Sequence, residues 1–84
     1  MALLTLVSRS YCHLCHDMEA ALLPLAAEFG VAVEIVDVDG DPELEALYGE
    51  RVPVVLHRGT ELCHYFLDVA KVSVCLSAMV SAGD

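Results

Sequence analysis

Val7-Ser8-Arg9-Ser10-Tyr11-Cys12-His13-Leu14-Cys15-His16 is the stretch on which the reading of this chain turns. Upstream of it, Ala2 to Val7 is nearly continuous apolar sequence rich in β-formers, as expected of a short strand buried on both faces. Downstream, Leu14, Met18, Ala21, Leu22, Leu25 and Phe29 recur at spacings of three and four, the period of one helix face, and Gly30 is a stop signal. Pro24 falls inside that pattern at a cost of about 3 kcal/mol relative to Ala, so a kink or break is expected near Leu22 and Leu23. The segment is therefore a strand-to-helix loop with two cysteines at the start of the helix, one turn apart.

That position has chemical consequences. The unpaired amides of a first helical turn, together with the macrodipole, favour negative charge, and a thiolate at Cys12 gains from both. Cys15 lies one turn further on, where its sulfur can reach back to resolve a mixed disulfide. Attack by a thiolate followed by intramolecular resolution is the whole of dithiol–disulfide exchange. Two rival chemistries share the same residues. Cys12-x-x-Cys15-His16 matches the attachment signature of a c-type haem, but no export signal precedes it and the middle of the chain is strand-rich. Zinc could take Cys12, Cys15 and His16, with Cys63-His64 as a second group; adjacent strand residues point to opposite faces, however, so that second group is poor. No metal ligand is assigned, and a non-catalytic binding or metal-binding module stays the alternative function. Cys75 shares an apolar helix face with Val72, Leu76 and Met79 and reads as a small core residue, as does Cys63 in a strand.

Working outward, Val31 to Val38 is a second strand. Gly40-Asp41-Pro42-Glu43 opens a short helix, with Asp41 as N-cap, Pro42 at the first helical position and acids in the first turn, ending near Tyr48-Gly49. Val52 to Leu56 and Glu61 to Phe66 are β-like runs joined through His57-Arg58-Gly59-Thr60, a hairpin. Val69, Val72, Leu76, Met79 and Val80 mark one face of a last helix from about Asp68 to Ala82. The order β-α-β-α-β-β-α, with a right-handed first crossover, gives a mixed four-stranded sheet with helices on both faces. At 84 residues the chain is one domain, residues 1–84, with 57% hydrophobic residues and no low-complexity stretch. Four Lys and Arg against 13 acids leave a net charge of −9, which sets aside nucleic acid and anionic membranes as partners. With no targeting segment and no bilayer-length apolar run, the expectation is a cytoplasmic monomer in which the dithiol is redox chemistry rather than a structural staple.

The segment Val7 to Cys15, the later Arg51-Val52-Pro53-Val54 and the element order together resemble the glutaredoxin-like branch of the thioredoxin superfamily, over nearly the whole chain. The resemblance implies the α/β thioredoxin fold and thiol–disulfide oxidoreductase activity, with Cys12 attacking and Cys15 resolving. It also implies a cis peptide before Pro53, facing the dithiol, and a Val52-Pro53 edge that offers its backbone to an extended thiol substrate. Arg9 falls where that family places a basic residue for the glutathione carboxylate. Arg51 lies two residues before Pro53; on the alternative reading both arginines neutralise acids such as Glu50 and Asp17. Tyr11 shields the thiol or packs near Pro53, and Asp68 meets a ligand amine or caps the last helix. The chain departs from the family in having His13-Leu14 between the cysteines. It departs again at Leu62-Cys63-His64-Tyr65-Phe66-Leu67-Asp68, which lacks the family's Gly pair. Without those glycines, and with Tyr65 or Phe66 crowding the groove, the expected partner is a protein or peptide disulfide or thiol. Glutathione remains the alternative redox partner, and no cofactor is assigned.

Overall fold

The computed structural model describes residues 3–82. Its elements run β1 (Leu3–Ser8), α1 (His13–Glu28), β2 (Ala32–Asp37), a 3-10 turn (Val38–Gly40), α2 (Pro42–Tyr48), β3 (Val54–His57), β4 (Thr60–His64) and α3 (Val69–Ser81). The sheet order is β2-β1-β3-β4, with β1 parallel to β2, antiparallel to β3, and β3 antiparallel to β4. This is the α/β thioredoxin-like architecture expected from the element order. Ala2, which the sequence reading placed in the first strand, lies outside the described residues.

Alternation along the two central strands builds two apolar layers. Leu4 and Leu6 of β1 and Val55 of β3 are buried with Met18, Leu22 and Ala26 of α1 and Val72, Leu76 and Met79 of α3. On the other face, Val7, Val54 and Leu56 pack with Val38, Val52 and Cys15, and are covered by Leu44 and Tyr48 of α2. Leu6, Val7, Val54 and Val55 are each 0% exposed, so both faces of the sheet centre are dry. No helix among the described residues is long and apolar enough to cross a membrane.

The differences from the sequence reading are local. α1 runs as one helix through Pro24, so of the kink or break expected there the break is excluded. Pro24 and Ala20 both lie on the exposed side, so the Ala20 carbonyl that loses its helical donor faces water instead of the core. α1 ends as expected: Gly30 takes φ +69°, and Phe29, Gly30 and Val31 amides close onto the Ala26 and Ala27 carbonyls. The third strand begins at Val54, two residues later than the β-like run, because Pro53 cannot donate into a ladder. Strand β4 ends at His64, leaving Tyr65 and Phe66 in the turn before α3. Leu62 is an extra residue in the β3–β4 register, and this bulge lets both Leu62 and Cys63 pack on the α1–α3 layer.

Two substitutions in α1 separate its solvent side from its core side. Pro24→Ala restores a backbone donor on the exposed face, and the urea-unfolding free energy should rise by about 1–3 kcal/mol. Leu22→Ala empties a fully buried site, and the same titration should show a loss of about 2–5 kcal/mol.

Candidate functional site

The end of β1 and the start of α1 place the dithiol at one end of the sheet. Cys12 is the N-cap of α1: its backbone is extended, and its Sγ accepts a hydrogen bond from the Cys15 N–H at 3.2 Å. The Cys12 carbonyl in turn accepts from the His16 N–H at 3.2 Å. A sulfur thus fills the capping role usually taken by a Ser or Asp oxygen, and it faces a backbone donor that a thiolate engages more strongly than a thiol does. Cys12 is half-buried, while Cys15 is only 1% exposed, packed behind it against Val7 and Val52.

Burial is what governs Cys15. Desolvation, followed by a hydrogen bond with the Cys12 side chain, pushes its thiol up from 9.0 to about 12, opposed by the Arg9 backbone amide and by the Arg9 charge. Cys15 is therefore a thiol at neutral pH. Burial also pushes the Cys63 thiol up. Cys63 and Cys75 are half-buried against the α1–α3 core, and none of the four cysteines is in a disulfide. His13 and His16 are both exposed, and no group of three His, Cys, Asp or Glu among the described residues could hold a metal ion.

The Val52–Pro53 peptide is cis. Pro53 is fully buried, and its carbonyl accepts from the Tyr65 N–H at 2.9 Å. The Val52 backbone N–H and C=O make no hydrogen bond among the described residues. Tyr11, at 97% exposed, stands free in the loop beside Cys12 and neither covers the thiol nor packs near Pro53.

The structure brings the two arginines together, with their guanidinium groups bonded to acids and backbone carbonyls and to neither sulfur. Both line a cleft of about 770 Å³ between the β1–α1 loop and α2, walled by Asp39, Glu45, Gly49 and Glu50. The Arg9 Nε donates to Asp39 Oδ1 at 3.0 Å, one Nη donates to the Gly49 carbonyl at 3.4 Å, and the other lies 3.9 Å from Glu45. Gly49 is needed at that wall, since a Cβ there would sit 2.6 Å from the Glu45 carbonyl oxygen. Arg51 donates to Glu61 Oε1 at 2.7 Å and to the Leu47 carbonyl at 2.8 Å, and its guanidinium lies 5.5 Å from the Tyr48 ring centroid. Their acid partners are thus Asp39, Glu45 and Glu61, not the Glu50 and Asp17 considered from sequence. Asp68 caps α3, accepting from the Lys71 N–H at 3.0 Å.

Glu61 and Tyr65 escaped the sequence reading as parts of one network. Glu61 joins Arg51 to His64, whose Nδ1 lies 2.9 Å from Glu61 Oε2. Tyr65 stacks edge-on against His64 with ring centroids 4.7 Å apart, and its hydroxyl donates to the Glu50 carbonyl at 2.9 Å. The links from Arg51 to Glu61 and from Glu50 to Tyr65 span ten and fifteen residues of chain, so no local spacing signals them.

Comparison with known proteins is consistent with this geometry. Residues 3–77 match the family described as Glutaredoxin-like domain (DUF836). An uncharacterized protein of Mycobacterium tuberculosis is 35% identical over 68 residues, covering 75% of this chain and 70% of that one. The solution NMR structure of a Nitrosomonas europaea protein superposes with a TM-score of 0.75 at 38% identity, covering 86% of this chain and 87% of the other. Thioredoxin 1 of Thermosipho africanus shares the fold, with a TM-score of 0.66 at 19% identity over 96% of this chain and 97% of that one.

The environments of the four thiols predict an order of reaction. Iodoacetamide at neutral pH should label Cys12 first in the reduced protein, with Cys15 and Cys63 protected, as read by peptide mass spectrometry. The raised Cys15 value also predicts a pH dependence of stability. Folded protein holds the Cys15 proton more tightly than unfolded chain does, so this contribution is complete below pH 9 and is lost as the pH rises toward about 12. Cys15→Ala should flatten the alkaline limb of the stability profile, measured by urea unfolding of the reduced protein.

Proposed function

Because this chain belongs to the Glutaredoxin-like domain (DUF836) family, we propose that it is a thiol–disulfide oxidoreductase in which Cys12 attacks and Cys15 resolves. The observation that carries this reading is the Cys12 sulfur seated as the N-cap of α1, 3.2 Å from the Cys15 amide nitrogen, with the shielded thiol of Cys15 directly behind it. A thiolate at that position is held by a backbone donor, while its partner stays protonated and in reserve.

The sulfur chemistry balances within one turnover. The Cys12 thiolate attacks one sulfur of a substrate disulfide; a new S–S bond forms, the substrate bond breaks, and the departing thiolate takes a proton from solvent. Cys15 then gives up its proton and attacks the Cys12 sulfur, closing Cys12–Cys15 and releasing the second substrate thiol. The substrate gains two electrons and two protons; the cysteine pair gives the two electrons and the Cys15 proton, and solvent returns the proton that Cys12 released on ionising. Conversion of Cys12 to a neutral sulfur in the mixed disulfide removes the neighbouring negative charge, which eases ionisation of Cys15 at the moment it is needed. Val52 supports substrate docking, since its free backbone N–H and C=O can pair with an extended chain beside the dithiol.

The test is reduction of an insulin-type interchain disulfide, with dithiothreitol as the terminal reductant and the uncatalysed rate subtracted. Cys12→Ser should lower the rate by at least about a hundredfold. Cys15→Ser should instead accumulate a Cys12-linked mixed disulfide, visible by non-reducing mass spectrometry. Equal activity of wild type and Cys12→Ser would overturn the assignment.

A further inference from the structure

Building on that dithiol reading, we propose that the substrate is an extended polypeptide disulfide rather than glutathione, and that Tyr65 is the residue that sets this choice. Glutathione brings two carboxylates, and these need unmatched positive partners near the sulfur. The three nearby devices that could receive them are already matched to the chain's own acids. Arg9 is held by Asp39 and Glu45, Arg51 by Glu61, and the first turn of α3 is capped by the Asp68 carboxylate. An incoming carboxylate would have to break an existing pair and then lie beside the displaced acid, a like-charge contact that opposes binding. Lys71 is exposed in that first turn, and its charge acts on Cys63.

Tyr65 closes the remaining approach. It takes φ +64°, a left-handed conformation that glycine adopts freely but that costs other residues about 1–2 kcal/mol. Two hydrogen bonds hold it there, and both run to the segment that carries the docking edge: its N–H to the Pro53 carbonyl and its hydroxyl to the Glu50 carbonyl, each at 2.9 Å. The phenol therefore straps the β4–α3 turn across residues 50–53. It fixes the position of the Val52 edge and fills the corner where the branched ends of a small thiol would have to fold back. A strained residue whose bonds all serve the substrate edge is better explained by that edge than by the turn itself.

What is left for recognition suits a polypeptide. The free Val52 backbone offers one strand's worth of pairing. Tyr11, at 97%, and Phe66, at 71%, are exposed aromatics, and a groove of about 100 Å³ between Leu14, Met18, Tyr65 and Phe66 has room for one aliphatic side chain. The chain's net charge of −9 selects a neutral or basic partner. The occupant is thus an extended, disulfide-bearing segment of such a protein, with an apolar residue close to the attacked cysteine.

The experiment compares wild type, Tyr65→Gly and Tyr65→Phe on two substrates, the insulin-type disulfide and a glutathione mixed disulfide of a cysteine peptide. Glutathione binding is followed by amide shifts at Cys12, Val52 and Asp68. Wild type should favour the protein disulfide in kcat/KM by about a hundredfold and show no saturable glutathione shifts at low-millimolar concentration. Tyr65→Gly, which relieves the backbone strain and should fold, should narrow that preference by about tenfold or more. Tyr65→Phe, losing only the bond to Glu50, should fall between, with the change in KM and not in kcat. Saturable glutathione binding by wild type, or a preference unchanged in Tyr65→Gly, overturns the proposal. Inertness of wild type toward both disulfides overturns instead the oxidoreductase reading on which it rests.

Discussion

Leu6 and Val7 point to opposite faces of the sheet, and neither is exposed to solvent, so β1 has to be covered on two sides at once. The same holds for Val54 and Val55 of β3. This double burial is the constraint that organises the molecule. It forces α1 and α3 onto one face and α2 onto the other, since each helix offers a single apolar stripe. It also fixes what happens at the end of β1. A strand buried on both faces must deliver the chain to a helix that covers it, and the short loop between them leaves Cys12 at the helix N-terminus. The chemistry of the site is thus a by-product of the way the core is closed.

From the same constraint follows the contrast between the two cysteines. One helical turn separates them, but that turn carries the chain from the rim of the sheet into the layer formed by Val7, Val38, Val52 and Val54. Cys12 meets a backbone donor at the surface, and Cys15 meets hydrocarbon. Two identical side chains three residues apart thereby acquire different surroundings, and burial is the largest cause of the raised Cys15 value. Arg9 is turned toward α2 and paired with acids, and it lowers the Cys15 value through its backbone first and its charge second.

Much of the chain's acidity is likewise committed to structure. Asp37, Asp41 and Asp68 cap the 3-10 turn, α2 and α3 through their side chains, and Asp39, Glu45 and Glu61 hold the two arginines. Exposed ion pairs of this kind contribute little to stability individually, about 0–1 kcal/mol each. Their effect is on recognition: an anion approaching the dithiol finds cations already matched and a surrounding field of one sign.

The elements and their order were legible in the sequence because they rest on local signals. Apolar periodicity, Gly30 after α1, Asp41-Pro42 before α2 and Asp68 before α3 act within a turn or two of chain, and the structure bears them out. The position of Cys12-x-x-Cys15 at the head of a helix was legible for the same reason. The continuity of α1 through Pro24 was not, because the loss of one helical donor matters only if the orphaned Ala20 carbonyl is buried, and its exposure is decided by how α1 rolls against the sheet. Nor could sequence spacing pair Arg9 with Asp39 across 30 residues, or Arg51 with Glu61 across the hairpin. The left-handed turn at Tyr65 and its strap to Glu50 belong with these. They arise where a strand end, a buried proline and a helix start converge, and only the folded chain brings those three together.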